Sequence, residues 1–225
     1  MTARRFDAAI VDLDGTLVDT LPDFVVVLDR TLDALGLPRV SREFIERTIG
    51  KGSEHLIRST LQAAGGDAAL FDAAWALYQR HYLAVNGDHA AVYPGAREGL
   101  EQLRACGLRL ACVTNKPLAF ARPLLERKGM LGLLDAVFGG DSFERRKPDP
   151  LPLVRACEAL ASAAARTLVI GDSANDAAAA RAAGCPVVLV RYGYNHGEPI
   201  EHVDADAWVD RIDAIDLAAD TLIAP

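Results

Sequence analysis

The sequence lacks closely spaced cysteine pairs, long apolar runs and an excess of basic residues. Its four cysteines show no Cys-x-x-Cys spacing, which argues against a zinc site and against a disulfide framework. No apolar run approaches the length that crosses a bilayer, and the residues before the first predicted strand lack the apolar core of a signal peptide. We therefore expect buried thiols, and a cytoplasmic protein that does not bind membranes.

Positive charge is in deficit along the chain. Lys and Arg number 24 against 31 Asp and Glu, so the formal net charge is -7 with neutral histidines. A nucleic-acid surface is built chiefly from Lys and Arg, and this balance argues against one. With 225 residues, of which 51% are hydrophobic, the chain is long and apolar enough to bury a substantial core, which argues against disorder.

Strand-like and helix-like segments alternate after about residue 90, which is typical of a parallel sheet with crossover helices. Apolar segments that end at Val113, Phe138, Ile170 and Val190 read as strands, with helical patterns between them. Right-handed crossovers then favour a three-layer, Rossmann-like α/β sandwich. We expect this fold for the core of the protein.

Residues 17–89 interrupt the alternation, because they contain helical patterns and no convincing strand. Apolar residues recur there at helical spacing, as Leu28 and Leu32 do. We expect a small, all-helical cap over residues 17–89, inserted after the first strand of a core made of residues 1–16 and 90–225. Such an insert is typical of a lid.

Two acids follow the first predicted strand, at the point where a buried strand ends. Asp12 and Asp14 lie two residues apart in extended chain, so they share one side of it, and Gly15 permits a sharp turn after them. This placement suits a nucleophile with a proton donor beside it. A solvated turn with a helix-capping acid is the structural alternative.

Polar residues also follow two later strands: Thr114 and Asn115 after one, Asp172 and Asp176 after another. In open α/β sheets, ligands bind outside the carboxyl ends of the strands. Four carboxylates in one pocket repel each other by about 4 kcal/mol per pair at 4 Å and an effective dielectric constant of 20, so they need a cation or shared protons. All the ligand atoms are oxygen, which favours Mg²⁺ over zinc or copper.

Lys147 lies in a basic run beside prolines, where it is placed to neutralise an anionic substrate. The Thr114 hydroxyl and the amides at the Asn115 turn can bind phosphoryl oxygens, and phosphoryl transfer needs these parts. Structural roles stay open for each of them. Thr114 or Asp172 can cap a helix, Asp176 can interact with a helix dipole, and Lys147 can be a surface lysine.

In their order along the chain, these motifs resemble those of the haloacid dehalogenase superfamily phosphatases. They read Asp12-x-Asp14-Gly15-Thr16, Thr114 after a strand, Lys147-Pro148 and Gly171-Asp172-Ser173-x-x-Asp176. The resemblance implies that Asp12 attacks phosphorus and that Asp14 protonates the leaving alcohol and then activates water. It also implies Mg²⁺ bound by the Asp12 carboxylate, the Asp14 carbonyl and Asp172, with Asp176 in support and with Thr114 and Lys147 holding the phosphoryl group.

Within that superfamily the chain is most similar to the bacterial phosphoglycolate phosphatases, through segments such as Val113-Thr114-Asn115-Lys116-Pro117 and Tyr192-Gly193-Tyr194-Asn195. This likeness implies a small phosphorylated metabolite as substrate, 2-phosphoglycolate first. We hypothesise that Lys51, in the cap, pairs with the substrate carboxylate; a plain surface lysine is the alternative. A phosphatase or mutase acting on sugar phosphates and a non-enzymatic anion sensor are the competing functions. We expect a monomer or homodimer.

Overall fold

A computed structural model of the protein describes residues 5–217, so residues 1–4 and 218–225 of the expected core lie outside the described part. The strands are β1 Ala8–Val11, β2 Val18–Asp19, β3 Ala91–Val92, β4 Arg109–Val113, β5 Ala136–Phe138, β6 Thr167–Gly171, β7 Val187–Val190 and β8 Ala207–Val209. The helices are α1 Leu21–Ala34, α2 Arg42–Thr48, α3 Ser53–Ala63, α4 Phe71–Val85, α5 Ala96–Ala105, α6 Leu118–Arg127, α7 Leu151–Ala159 and α8 Ala174–Ala183. Across the described residues, no helix has both the length and the apolar character that a membrane crossing needs.

Six strands form one parallel sheet in the order β5-β4-β1-β6-β7-β8. The first strand of the chain lies inside this sheet, with Ile10 opposite Ala111 of β4 and Val169 of β6. Helices cover both faces, so the fold is the three-layer, Rossmann-like α/β sandwich that the alternation predicts. The edge strand β8 was not predicted.

The two faces of the sheet bury separate apolar clusters. Ala9 and Val11 of β1 pack in the cluster that contains Leu100 of α5, whereas Ile10 packs in the cluster that contains Leu153 of α7. Successive side chains of a strand point to opposite faces, so a strand covered on both sides must be apolar throughout. This explains why β1 reads as a continuous apolar run up to its two acids.

Helices α1 to α4 form a bundle with its own apolar cluster, as the helical patterns predict. One expectation was wrong in detail: the insert is not purely helical, because Val18–Asp19 forms a strand within it. This strand pairs antiparallel with Ala91–Val92. Such a two-residue ladder depends on pairing between distant segments and leaves no local periodicity in the sequence.

Apolar contacts join the bundle to the sheet, and a buried carboxylate fixes the segment in which the chain leaves the bundle. Phe120 of α6 packs against Tyr82 of α4, with ring centroids 4.7 Å apart. Asp23, fully buried in α1, accepts hydrogen bonds from the backbone N–H groups of Gly87 at 2.6 Å and His89 at 2.8 Å. Both donors lie where the chain leaves the bundle, so Asp23 fixes the return path to the sheet.

Removing the Asp23 carboxylate should destabilise the fold. We expect Asp23→Ala to lower the free energy of unfolding by about 2–4 kcal/mol, because two buried N–H groups lose a charged acceptor. Urea unfolding followed by circular dichroism measures the loss. Asp33→Ala is the matched control, since Asp33 is an exposed acid of the same helix that pairs with Arg39. Similar losses in the two variants would contradict the role given to Asp23.

Candidate active site

The end of β1 brings the first two acids to the carboxyl edge of the sheet. The N–H of Asp12 donates to the Ile170 carbonyl of β6 at 2.9 Å, so Asp12 still belongs to the ladder. Gly15 follows with φ +84°, and a Cβ at this position would collide with the Asp172 carboxylate. The glycine therefore lets the turn after β1 close against an acid that follows another strand.

Lys147 joins two of the acids through one buried ammonium group. Its Nζ lies 3.0 Å from Asp12 Oδ1 and 2.6 Å from Asp176 Oδ1, and it donates to the Val113 carbonyl at 2.8 Å. An ammonium has three N–H donors, and these three contacts use all of them. With its side chain 4% exposed, Lys147 is not the surface lysine of the structural alternative.

Asp172 and Asp176 lie where β6 passes into α8. Asp172 accepts hydrogen bonds from the Thr16 hydroxyl at 2.7 Å and from the Tyr194 N–H at 2.6 Å. Asp176 accepts from the Ser173 hydroxyl at 2.7 Å and completes a capping box at the start of α8. Asp176 thus caps a helix with one oxygen and binds the buried lysine with the other.

The acid cluster has the composition of a Mg²⁺ site. Asp12, Asp172 and Asp176 bring carboxylate oxygens within 4.8 Å of one another. With Asp14 the site holds four carboxylates, against two ammonium groups that contact them, which leaves two formal negative charges. One divalent cation supplies that charge, and the all-oxygen donor set matches the preference of Mg²⁺. The residues therefore fit this ion.

Burial and crowding disfavour negative charge on these acids. Desolvation raises the pKa of Asp12 to about 7; Lys147 opposes the rise and the neighbouring carboxylates add to it. Desolvation, and then the charges of Asp176 and Asp12, raise the pKa of Asp172 well above its usual value. Although desolvation lowers the pKa of Lys147, its carboxylate partners raise it overall. Without a cation the cluster therefore takes up protons more readily than ordinary carboxylates do.

Thr114 and Asn115 form a buried polar turn after β4. The side-chain amide of Asn115 donates to the carbonyl oxygens of Gly50 and Lys147, both at 2.8 Å. The Thr114 hydroxyl oxygen accepts the N–H of Lys116 at 3.2 Å. The turn therefore contacts the helical bundle through Gly50, and Thr114 lines the same pocket as Asp12.

A narrow crevice, with a cavity volume of about 20 Å³, lies between this edge of the sheet and the bundle. Its sheet side is formed by Asp12, Asp14, Thr114, Asn115 and Lys116, and its bundle side by Phe24, Ile49, Gly50, Gly52, Ser53 and Leu56. Lys147, Asp172 and Asp176 lie behind Asp12. The structure thus brings all the sequence-predicted residues of the sheet edge to one place.

Lys51 is the exception among the sequence-predicted residues. It lies between Gly50 and Gly52, which line the crevice, but its own side chain is exposed and is not part of the lining. Burial and then the charge of Lys51 lower the pKa of His55, so this lysine contributes positive potential at the mouth of the crevice. Its contact with a substrate carboxylate stays a prediction.

One side chain in the crevice was not singled out from the sequence. Lys116 donates to Asp14 Oδ1 at 2.9 Å, and its side chain is 2% exposed. Its ammonium also lies 4.5 Å from the ring centroid of Phe24 and 4.6 Å from that of Tyr82. A lysine directly after the polar turn was visible in the sequence, but its burial depends on aromatic residues of the bundle, which no local pattern reveals.

The arrangement offers a nucleophile and a proton carrier two residues apart. Asp12 Oδ1 is fixed by the Leu13 N–H at 2.7 Å and by Lys147, which leaves Oδ2 for attack. Asp14 Oδ1 is fixed by the Thr20 hydroxyl at 2.8 Å and by Lys116, which leaves its Oδ2 for proton transfer. Such a pair beside a cation site suits the transfer of an anionic group to a carboxylate.

Comparison with known proteins gives consistent matches. A model of the haloacid dehalogenase-like hydrolase family matches residues 6–184. The chain is 45% identical over 205 residues to a phosphoglycolate phosphatase of Thiobacillus denitrificans, covering 90% of each chain. It is 47% identical over 210 residues to the plasmid phosphoglycolate phosphatase of Cupriavidus necator, covering 92% of this chain and 90% of that relative. A crystal structure described as a predicted phosphoglycolate phosphatase from Haemophilus somnus has a TM-score of 0.89 at 33% identity, covering 94% of this chain and 96% of that chain.

The raised pKa of Asp12 predicts how the stability of the metal-free protein changes with pH. A carboxyl group whose pKa is higher in the folded state stabilises the fold at low pH, and this contribution is lost as the pH rises through the folded value. For Asp12 the window runs from the ordinary value of 3.8 to about 7. In EDTA, Asp12→Asn should therefore have a higher Tm than the wild type at about pH 8, and the difference should shrink towards about pH 5.

Thermal unfolding followed by circular dichroism at several pH values measures this difference. Asp33→Asn serves as the control, because the pKa of this exposed acid is lowered by its hydrogen bond with Arg39. The control should show no such gain at high pH. A Tm difference for Asp12→Asn that is constant with pH, or largest at low pH, would contradict the predicted burial of charge.

Proposed function

The chain belongs to the haloacid dehalogenase-like hydrolases, and on that premise we propose that it is a Mg²⁺-dependent phosphatase that hydrolyses 2-phosphoglycolate to glycolate and phosphate. The observation that carries the proposal is the acid cluster joined by Lys147, with Asp12 and Asp14 at the crevice. Relatives at 45% and 47% identity that bear the name phosphoglycolate phosphatase support the substrate.

We assign the attack to Asp12. Its free oxygen forms a bond to phosphorus while the ester P–O bond breaks, which gives an aspartyl-phosphate and the alkoxide of glycolate. Asp14 gives its proton to that leaving oxygen. A water molecule then attacks the phosphorus of the aspartyl-phosphate and loses a proton to Asp14, so that phosphate leaves and both acids return to their first state.

The remaining residues hold the phosphoryl group and its counter-charge. The Thr114 hydroxyl and the turn at Asn115 are proposed to bind the phosphoryl oxygens. Lys147, whose three donors contact Asp12, Asp176 and the Val113 carbonyl before substrate binds, is proposed to turn one of them to a phosphoryl oxygen. Mg²⁺, when bound by the carboxylates of Asp12 and Asp172 and the Asp14 carbonyl, would supply positive charge to the phosphoryl oxygens. Asp176, with both of its oxygens already hydrogen-bonded, would support the ion from behind.

We propose that the chain has the two domains that the sequence predicts, each with its own task. Residues 1–16 and 90–225 are the catalytic core and residues 17–89 are the cap, which shields the crevice from water. Lys51 at the crevice mouth is proposed to attract the substrate carboxylate. None of the four cysteines forms a disulfide, which supports a cytoplasmic enzyme, here proposed to act as a monomer or homodimer. Cys106 is exposed, whereas the sequence predicted buried thiols.

The first test is the release of phosphate from a panel of small phosphomonoesters with and without Mg²⁺. We expect 2-phosphoglycolate to be the best substrate and EDTA to abolish turnover. Asp12→Asn should reduce kcat by about 10³-fold or more, because no carboxylate nucleophile remains. Labelling of wild-type Asp12 by beryllofluoride, located by mass spectrometry or crystallography, is the companion measurement. An isomerised sugar phosphate without net phosphate release would indicate a mutase instead.

The second test separates the proton donor from the nucleophile. Asp14→Asn should lower kcat for 2-phosphoglycolate by about 10²–10⁴-fold, because an alkoxide needs a proton to leave. The loss should be much smaller for p-nitrophenyl phosphate, whose leaving group needs no acid. Steady-state kinetics with the two substrates measures both effects, and Asp33→Asn controls for the loss of an acid elsewhere. Equal losses on the two substrates would contradict the role of Asp14.

A further inference from the structure

We propose that Lys116 is the residue that selects a carboxylate-bearing substrate, by pairing its buried ammonium with that carboxylate inside the crevice. The inference rests on the proposed phosphatase function and deepens it. It gives Lys116, to which neither the motifs nor the comparisons assign a task, a role in substrate specificity.

The two buried lysines of the site differ in how many N–H donors their ammonium groups have left for a bound molecule. Lys147 uses its three donors on Asp12, Asp176 and the Val113 carbonyl. Within the described residues, the ammonium group of Lys116 has one hydrogen-bond partner, Asp14, at 2.9 Å. Lys116 also lines the crevice, so its remaining donors can reach a bound molecule.

The position of Lys116 matches the geometry of a phosphorylated 2-hydroxy acid. A general acid must lie within about 2.6–3.2 Å of the oxygen that it protonates, so the ester oxygen of the substrate lies beside Asp14. In 2-phosphoglycolate one methylene group separates that oxygen from the carboxylate carbon. A carboxylate so close to the ester oxygen falls next to the ammonium that already contacts Asp14.

The surroundings of Lys116 make its charge available to an anion rather than to water. The faces of Phe24 and Tyr82, both from the helical bundle, lie 4.5 Å and 4.6 Å from its Nζ. Aromatic faces attract an ammonium but give it no hydrogen-bond acceptor. In such a poorly hydrated place, pairing with a carboxylate is stronger than at the exposed Lys51, where water and salt screen the charge.

The test compares two substrates that differ only at the recognised group: 2-phosphoglycolate and 2-hydroxyethyl phosphate. We expect Lys116→Met to lower the ratio of their kcat/KM values by about 30-fold or more, the usual loss on removal of one partner of a buried charge pair. Lys116→Arg, which keeps the charge, should retain most of the preference. Arg58→Met, the loss of an exposed positive charge of α3 that pairs with Glu54 and does not line the crevice, should change the ratio by less than about threefold.

The ratio separates recognition from a structural role. If Lys116 only holds Asp14 or the fold, both substrates lose activity equally in Lys116→Met, the ratio stays at its wild-type value, and the inference is overturned. A collapse of the ratio in Lys51→Met but not in Lys116→Met would also overturn it. If Lys116→Met does not fold, as judged by circular dichroism and Tm, Lys116→Gln provides the same comparison because it too removes the charge.

The result that would refute the proposed function differs from the result that would refute the role of Lys116. A wild-type protein that releases phosphate from neither substrate in Mg²⁺ refutes the phosphatase function, and the specificity role falls with it. A wild-type protein that hydrolyses both substrates without preferring 2-phosphoglycolate refutes the role of Lys116 alone. A wild-type preference that Lys116→Met removes supports both.

Discussion

One buried ammonium group, that of Lys147, allows several acids to share the carboxyl edge of the sheet. It contacts Asp12 after β1, Asp176 in α8 and the Val113 carbonyl in β4. Carboxylates this close repel each other by several kcal/mol at the effective dielectric constants of protein interiors, so the acids need this cation to stay folded together. The interaction that fixes Asp12, the proposed nucleophile, therefore also joins three elements of the core.

The charges of the site's side chains do not balance, because four carboxylates lie near only two ammonium groups. The remaining negative charge supports the proposal that the site binds a divalent cation. Desolvation raises the pKa values of Asp12 and Asp172, and the neighbouring carboxylates add to the rise. A better balanced set of side chains would make a more stable fold but would leave no electrostatic place for a metal ion.

The sequence predicts this site well where local pattern and sheet topology decide it. Asp12, Thr114 and Asp172 each follow an apolar run, and parallel strands end at one edge, so their meeting follows from the strand assignments alone. The pairing of Val18–Asp19 with Ala91–Val92 could not be predicted, because it joins segments far apart in the chain. The burial of Lys116 could not be predicted either, because the aromatic residues that bury it are distant in the sequence.

The turn after β4 is where the core and the helical bundle meet, and it serves both. Asn115 donates to the Gly50 carbonyl of the bundle, and Lys116 lies against the rings of Phe24 and Tyr82. Moving the bundle away would break the amide contact and return the ammonium to water, where it would hold an anion weakly. The neighbouring Thr114 hydroxyl faces the crevice from the same turn. The proposed phosphoryl and carboxylate contacts therefore both depend on the bundle resting on this turn.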